Sequence, residues 1–436
     1  MKKILVVLGA ALLVLGACSP KSSGAASGAS GSGASASTGS ANSGKLVVWS
    51  FTDELDGLIK DYYKPTHPDV VIEYSMTPTE QFPSKLDPVL QSGQGAPDVF
   101  ALEDSFVRKY VESGLLLDIS DVYNEVKAKM LAYPVEVGSY NGKVYGMSWQ
   151  ATPGAMFYRR SLAKQYLGTD DPAEVQKSFT DLDKFLQTAE LLKTASGGKC
   201  VIVSASADLL RPYAAARKAP WIVDNALTID PALLDYMEMC KTLHDKGYDA
   251  RVQGWSEGWF AGMRGDLKDE RGNDVEVFSY FLPTWGLHYV LKQNAPDTTG
   301  DWAMIPGPAP YRWGGTWIGA WKNTKNPLAA KEMIKYLTTD DTMIETYAMK
   351  SGDLVGNITV VNKIKDSFSE PFLGGQNHYA AFAEMAKTVD GSLTQGTDQA
   401  IEALWNETVM AYVNGEKSRD QAIKDFTDQV GAQLGF

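Results

Sequence analysis

KLVVW (45–49), DELDGLIKDYYKP (53–65), VVIEY (70–74) and PDVFA (97–101) follow one another closely along the chain. The first, third and fourth runs are short, apolar and rich in β-branched residues, which marks strands. In the second, Leu55, Leu58, Ile59 and Tyr62 recur at the spacing of one helix face. Residues 87–91 add a helix fragment that closes on the glycine-rich Ser92-Gly93-Gln94-Gly95. Strand, helix, strand, helix, strand in this order predicts a parallel sheet with helices on both faces. Ligands of such sheets sit beyond the carboxyl ends of the strands, so the residues just after Trp49 and Ala101 are the first site candidates.

The rest of the folded part continues the alternation. Residues 179–194 place Leu182, Phe185, Leu186, Ala189 and Leu192 on one stripe behind a Thr180 or Asp181 cap, 201–203 is strand-like, and 233–246 is amphipathic. A strand over 275–281 ends at Leu282-Pro283-Thr284 and gives way to a helix over 287–292. Pro306 to Pro310 can only be a connector, 313–321 is strand-like, 327–338 is a helix, and Gly352 to Gly356 breaks the chain again. From Asn377 onward the pattern is helical, with turns near 391–396 and 414–415, and no repeat of solenoid length occurs.

Ahead of Lys45 the composition changes. Lys2 and Lys3 precede an apolar run over 4–15, too short to span a membrane, and then Gly16-Ala17-Cys18. Residues 1–17 therefore read as a signal peptide. Between Ser19 and Gly44, 22 of 26 residues are Ser, Gly or Ala, so 18–44 is expected to be a flexible tether with Cys18 at its head. Leu15-Gly16-Ala17-Cys18 resembles a bacterial lipobox, which implies cleavage before Cys18 and acylation of that cysteine. The 436-residue chain carries a net charge of −12, which opposes any nucleic-acid partner.

Catalytic signatures are missing. G-x-S-x-G, H-E-x-x-H, G-x-x-x-x-G-K-[ST] and G-x-G-x-x-G do not occur in the folded part, and His67, His244, His288 and His378 lack metal spacing. Ser161-Leu162-Ala163-Lys164 matches S-x-x-K without its companion motifs and reads as a helix turn. Cys200 and Cys240 read as small buried hydrophobes. No metal, cofactor or enzymatic activity is expected.

Eleven tryptophans stand out, several beside glycine at strand ends: Trp149, Trp255, Trp259, Trp285, Trp313 and Trp317. An aromatic there can offer its face to a cleft, and sugars combine apolar CH faces with hydroxyl rims that need carboxylate and amide partners.

Several motifs then line up in order: 45–49 (KLVVW), 96–100 (APDVF) with 110–116 (YVESGLL), 141–146 (NGKVYG) before Phe157-Tyr158-Arg159, Gly300-Asp301-Trp302 leading to Pro306, Gly314-Gly315, and 324–330 (TKNPLAA). Together they resemble the extracellular solute-binding protein family 1, the maltose-binding-protein-like receptors of ABC sugar importers. Tyr158-Arg159-Arg160 and Met147-Ser148-Trp149 depart from the family pattern. The resemblance implies an α/β, two-lobed periplasmic-binding-protein-like fold of type II, each lobe a mainly parallel sheet flanked by helices. It implies lobe one at 45–153 with 311–352, lobe two at 154–310 with 353–436, and hinges near Pro153-Gly154, 306–310 and Gly352. It further implies a monomer that captures a carbohydrate, hands it to ABC permease subunits, and is lipid-anchored to the outer or periplasmic face of a cell membrane.

Carried over residue by residue, Asp104 matches the acidic residue used on sugar hydroxyls, Trp405 a stacking aromatic of the tail, and Trp285 a cleft aromatic, while Asp53 follows the first strand. With Trp149, Gln150, Gly315 and Trp317 they form the expected ligand-binding set. The alternatives are a helix N-cap for Asp104 and a core position for Trp405. For the whole chain they are a lipid-anchored glycoside hydrolase or a receptor for a non-sugar solute such as a polyamine or sugar phosphate.

The lipobox makes a direct prediction. Cys18→Ala should release the protein into the soluble extracytoplasmic fraction, whereas Cys200→Ser and Cys240→Ser should stay membrane-attached; fractionation and blotting decide it, and an anchored Cys18 variant would refute the reading.

Overall fold

The structure, a computed structural model, describes residues 44–435. Cys18, the signal peptide and almost all of the tether lie outside the described residues. Nine strands build the two main sheets: β1 (Gly44–Ser50), β2 (Val70–Met76), β3 (Val99–Glu103), β4 (Gly146–Ser148), β5 (Gly154–Arg159), β6 (Cys200–Val203), β7 (Glu276–Pro283), β8 (Trp302–Ile305) and β9 (Thr316–Ala320). The helix expected over 53–65 runs from Glu54 to Thr66 with one wider π turn over Ile59–Tyr63, and it buries Leu55, Leu58 and Ile59.

The first sheet has the order β2-β1-β3-β9-β4 and the second β8-β5-β7-β6. Strands β1, β2 and β3 are parallel, and so are β7 and β6, as the strand-helix rhythm predicts. Four of the five strands of the first sheet and three of the four of the second run one way, so both are mainly parallel as expected; one strand in each is reversed, β9 antiparallel to β3 and β4, and β5 antiparallel to β7 and β8. The cause is how the chain arrives. β5 and β9 each follow directly on a connector that enters at the end where β7 and β3 finish, so they run back against those strands.

Both sheets are apolar on both faces, as expected when helices cover each side. In β3, Val99 and Ala101 pack toward Met333, Ile334 and Leu337 of the helix Pro327–Thr339, whereas Phe100 and Leu102 pack with Phe82, Leu86 and Phe106 on the other side. In β5, Phe157 and Met156 divide between two clusters in the same way. Cys200 and Cys240 are free and buried, and burial pushes the Cys240 thiol up to about 12, so both act as small apolar fillers. Among the described residues no helix is long and apolar enough to cross a membrane.

Between the sheets three chain segments run side by side. Gly154 N–H donates to Tyr311 O (2.8 Å) and Trp313 N–H to Thr152 O (3.2 Å). On the opposite edge, Ala151 N–H donates to Leu354 O and Gly356 N–H to Trp149 O, each at 2.8 Å. The Tyr311 hydroxyl ties the crossing down further by donating to Ala155 O (2.9 Å) and Leu282 O (3.2 Å).

Glycine is required at the crossing. A Cβ on Gly154 would stand 2.0 Å from the Tyr311 ring. Overpacking of this kind costs about 1–3 kcal/mol or more. Gly154→Ala should therefore lower the midpoint of thermal unfolding followed by circular dichroism; an unchanged midpoint would show that the connectors part freely.

Candidate functional site

Four βα turns converge on the connectors. Strand β1 leads into Asp53 and Glu54, β3 into Asp104, β6 into Asp208, and β7 into Thr284 and Trp285. These are the carboxyl ends of strands, where the sequence directs attention.

One side of the site is a charged cavity of about 320 Å³, with Asp104, Arg211, Arg217, Arg312, Asp398 and Glu402 in its walls. Asp104 accepts from the Arg312 guanidinium, which also donates to Thr394 Oγ1 (2.9 Å), and its backbone N–H donates to Gly315 O (3.1 Å). Glu103, not Asp104, caps the following helix, accepting from Ser105 N–H at 2.7 Å. Arg211 pairs with Glu402 at 3.0 Å. Burial pushes the Asp398 carboxyl up to about 7, and Asp398 Oδ1, Thr397 Oγ1 and Arg217 Nη1 have no protein partner. Unfilled donors and acceptors side by side suit a hydroxylated ligand.

The other side is an aromatic wall. Trp255 and Trp285 stack with centroids 6.2 Å apart and planes 18° apart, and Trp313 meets Trp285 edge-on at 5.5 Å. Trp285 Nε1 donates to Trp313 O (3.1 Å), which fixes the ring at the strand-to-helix turn. Trp255 is 54% exposed and holds φ at +66°, in the left-handed region that bulky residues avoid. Strain of about 1–3 kcal/mol at an exposed tryptophan is typical of a functional position. Behind it Trp259 is buried beside Asp208, with its indole N–H turned to that carboxyl. Asp208 accepts from Ser204 Oγ (2.6 Å), and burial pushes its carboxyl up to about 6.

A second acidic group lies where the connectors meet the helix Glu54–Leu58. Burial, then the charge of Asp353, pushes Glu54 up to about 7; the Tyr347 hydroxyl donates to it. Asp353 accepts from Gln150 Nε2 (3.1 Å), and burial pushes it up to about 6. Tyr289, one turn beyond Trp285 and 47% exposed, feels the charges of Glu54, Asp353 and Asp53.

Of the expected set, Asp104 lines the cavity, Gly315 accepts from its backbone N–H, Trp285 belongs to the aromatic wall, Asp53 follows β1, and Gln150 is buried with its amide on Asp353. Trp149, Trp317 and Trp405 are at most 1% exposed and have no face to offer a ligand. Trp317 Nε1 donates to Pro134 O (2.6 Å) inside the core, and Trp405 packs against Phe426 (4.9 Å) and Trp221 (5.8 Å) and does not reach the cavity that Glu402 and Asn406 of the same helix line. Glu54, Asp208, Arg211, Trp255 and Asp353 were not in the set. The strand-end rule could have found Glu54 and Asp208, and glycine-flanked aromatics pointed to Trp255; Arg211 and Asp353 carry no local signal.

With this geometry in view, the chain matches the bacterial extracellular solute-binding protein family profile over residues 57–371. A lactose-binding protein of Rhizobium radiobacter is 22% identical over 425 residues, 90% of this chain and 93% of the relative. The crystal structure of an extracellular solute-binding protein family 1 member superposes with a TM-score of 0.77 at 20% identity, covering 88% of this chain and 99% of that one. An ABC transporter associated binding protein from B. animalis subsp. lactis, solved with β-1,6-galactobiose, gives 0.68 at 21% identity, covering 90% and 98%. The two sheets joined by paired connectors are the two-lobed binding-protein fold, and the chain belongs to the bacterial extracellular solute-binding proteins.

Proposed function

We propose that this protein is a carbohydrate receptor of an ABC importer, taking up an oligosaccharide between lobes formed by 45–153 with 311–352 and 154–310 with 353–436. The observation that carries the reading is the wall of Trp255, Trp285 and Trp313 beside the polar cavity of Asp104 and Arg312. Aromatic faces cover the CH surface of a sugar ring, and carboxylates and guanidinium groups take its hydroxyls. A hydrogen bond to a charged group contributes about 1.5–3 kcal/mol, and an epimer that leaves the group unpaired loses it. A ligand touching both lobes binds the closed form better and shifts the hinge equilibrium toward closure, the form a permease would recognise. Capture is stoichiometric and leaves the sugar unaltered. Acylated Cys18 and the Ser/Gly/Ala tether keep the receptor near the extracytoplasmic membrane face.

Trp255→Ala and Trp285→Ala test the wall. Loss of a stacking face costs about 1–3 kcal/mol, roughly a tenfold to hundredfold loss of affinity. Calorimetric titration with lactose and other galactosides should show this loss for both variants, and the melting temperature should stay unchanged for Trp255→Ala. Full affinity in both would remove the wall from the site.

Binding should also depend on pH. Glu54 is protonated below about 7 in the free protein, and ligand hydroxyls donate best to the ionised form. Binding therefore lowers this pKa, so affinity is full above about 7 and declines as pH falls through it. Titrations between about pH 5 and about pH 8 should show the decline, and Glu54→Gln should flatten it.

A further inference from the structure

Between the helices His378–Met385 and Asp398–Val413 the chain changes faces of the second sheet. Phe382 meets Phe157 of β5 with ring centroids 6.3 Å apart, whereas Ile401, Trp405 and Val409 belong to the cluster of Met156 on the other face. The stretch that makes this passage, residues 388–397, supplies Asp390, Leu393, Thr394 and Gln395 to the wall of the charged cavity. Gln395 fastens it to lobe two with both ends of its amide: the Ile222 N–H donates to Oε1 (2.9 Å), and Nε2 donates to Ile222 O (2.8 Å).

The same stretch also rests on helices that pack with the first sheet. The Gly391 N–H donates to Glu136 Oε2 (3.1 Å) in the helix Ala132–Val137, and the Gly396 N–H donates to Glu112 Oε2 (3.2 Å) at the end of the helix Asp104–Glu112. Arg108 Nε, one turn back, donates to Glu112 Oε1 (2.9 Å) and holds that carboxylate in place. Just beyond the stretch, Gln399 Nε2 reaches Ser105 Oγ (3.4 Å). The approach is close to the backbone: a Cβ on Gly391 would stand 2.9 Å from Tyr133 O, and one on Gly396 would stand 3.0 Å from Lys109 Cα. Neither glycine has a positive φ, so the turn itself does not ask for glycine. The requirement arises only while the stretch is seated on lobe one.

Gly391, Gly396, Glu112 and Glu136 lie outside the cavity wall, so they can act on its contents only through the fit between the lobes. Backbone N–H groups donating to carboxylates are among the stronger single contacts, and these two exist only with the lobes together. A contact made in one of two states shifts the equilibrium toward that state. Resting on the carbohydrate reading above, we infer that residues 388–397 are a latch: anchored on lobe two through Gln395, they seat on Glu112 and Glu136 of lobe one and hold the lobes closed along one wall of the cavity. Ligand release then requires that Gly391 and Gly396 leave their carboxylates.

Two double variants test this in the full folded chain: Gly391→Ala with Gly396→Ala, and Glu112→Ala with Glu136→Ala. Small-angle X-ray scattering of the ligand-free protein should give both a larger radius of gyration than the wild type. In calorimetric titrations with lactose and β-1,6-galactobiose, a sugar that the wild type binds should lose about tenfold or more in affinity in both variants. Ligand-free melting temperatures should stay unchanged, because an unseated stretch leaves both cores intact. A lowered melting temperature in both variants, the mark of a merely structural segment, overturns the inference, and so does an unchanged radius of gyration. Should alanine at the two glycines prevent folding, the carboxylate variant decides alone. Full sugar affinity in the variants overturns the latch and leaves the carbohydrate reading intact. A larger radius, with neither sugar bound even by the wild type, supports the latch and counts against the carbohydrate reading.

Discussion

The backbone pairing of residues 149–154 with 311–313 on one edge and 354–356 on the other is the interaction on which the rest of the structure depends. It brings three distant stretches of chain into one short ribbon between two sheets. It also sets the direction of β5 and β9, since each begins where its connector leaves the ribbon. Tyr311 supports the pairing through two hydroxyl hydrogen bonds, and its ring occupies the space that a side chain on Gly154 would need. Hinges of this kind absorb a rigid-body motion in a few dihedral angles, because everything on either side is packed core.

The ribbon also decides where chemistry can occur. The strand ends that lead into Glu54, Asp104, Asp208 and Thr284 lie beside it, and the cavity next to Asp104 is lined from both parts of the chain, by Asp104 and Arg312 and by Arg211 and Glu402. Two electrostatic environments result. In one, Arg211 and Arg312 neutralise Glu402 and Asp104 and line a polar cavity. In the other, the Glu54 and Asp353 carboxyls are buried with the Tyr347 hydroxyl and the Gln150 amide as their donors, and burial raises their pKa.

Much of the architecture was legible in the chain. The helical spacing of Leu55, Leu58 and Ile59, the apolar run at Val99 to Leu102 and the stripe of Phe185, Ala189 and Leu192 report contacts between residues a few positions apart, and each element formed where its period lay. The tryptophans were less readable. Trp149, Trp255, Trp285 and Trp317 all stand near glycine or a strand end, yet Trp255 is half-exposed whereas Trp149 and Trp317 are sealed in. A neighbouring glycine permits an aromatic to face a cleft without saying what covers it.

By itself, the sequence determined the elements, their order, the breaks at Pro153-Gly154, Pro306 to Pro310 and Gly352, and the strand ends at which a site could lie, because periodicity and turn chemistry act over a few residues. Only the tertiary structure decided which side chains meet there. Asp104 and Arg312 are 208 positions apart, and Gln150 and Asp353 are 203 apart, so no local pattern links them. Desolvation and charge pairing depend on everything that closes around a group, and for Glu54 that enclosure comes from Trp149, Tyr347 and Asp353, which are brought to it only when the chain crosses between the sheets.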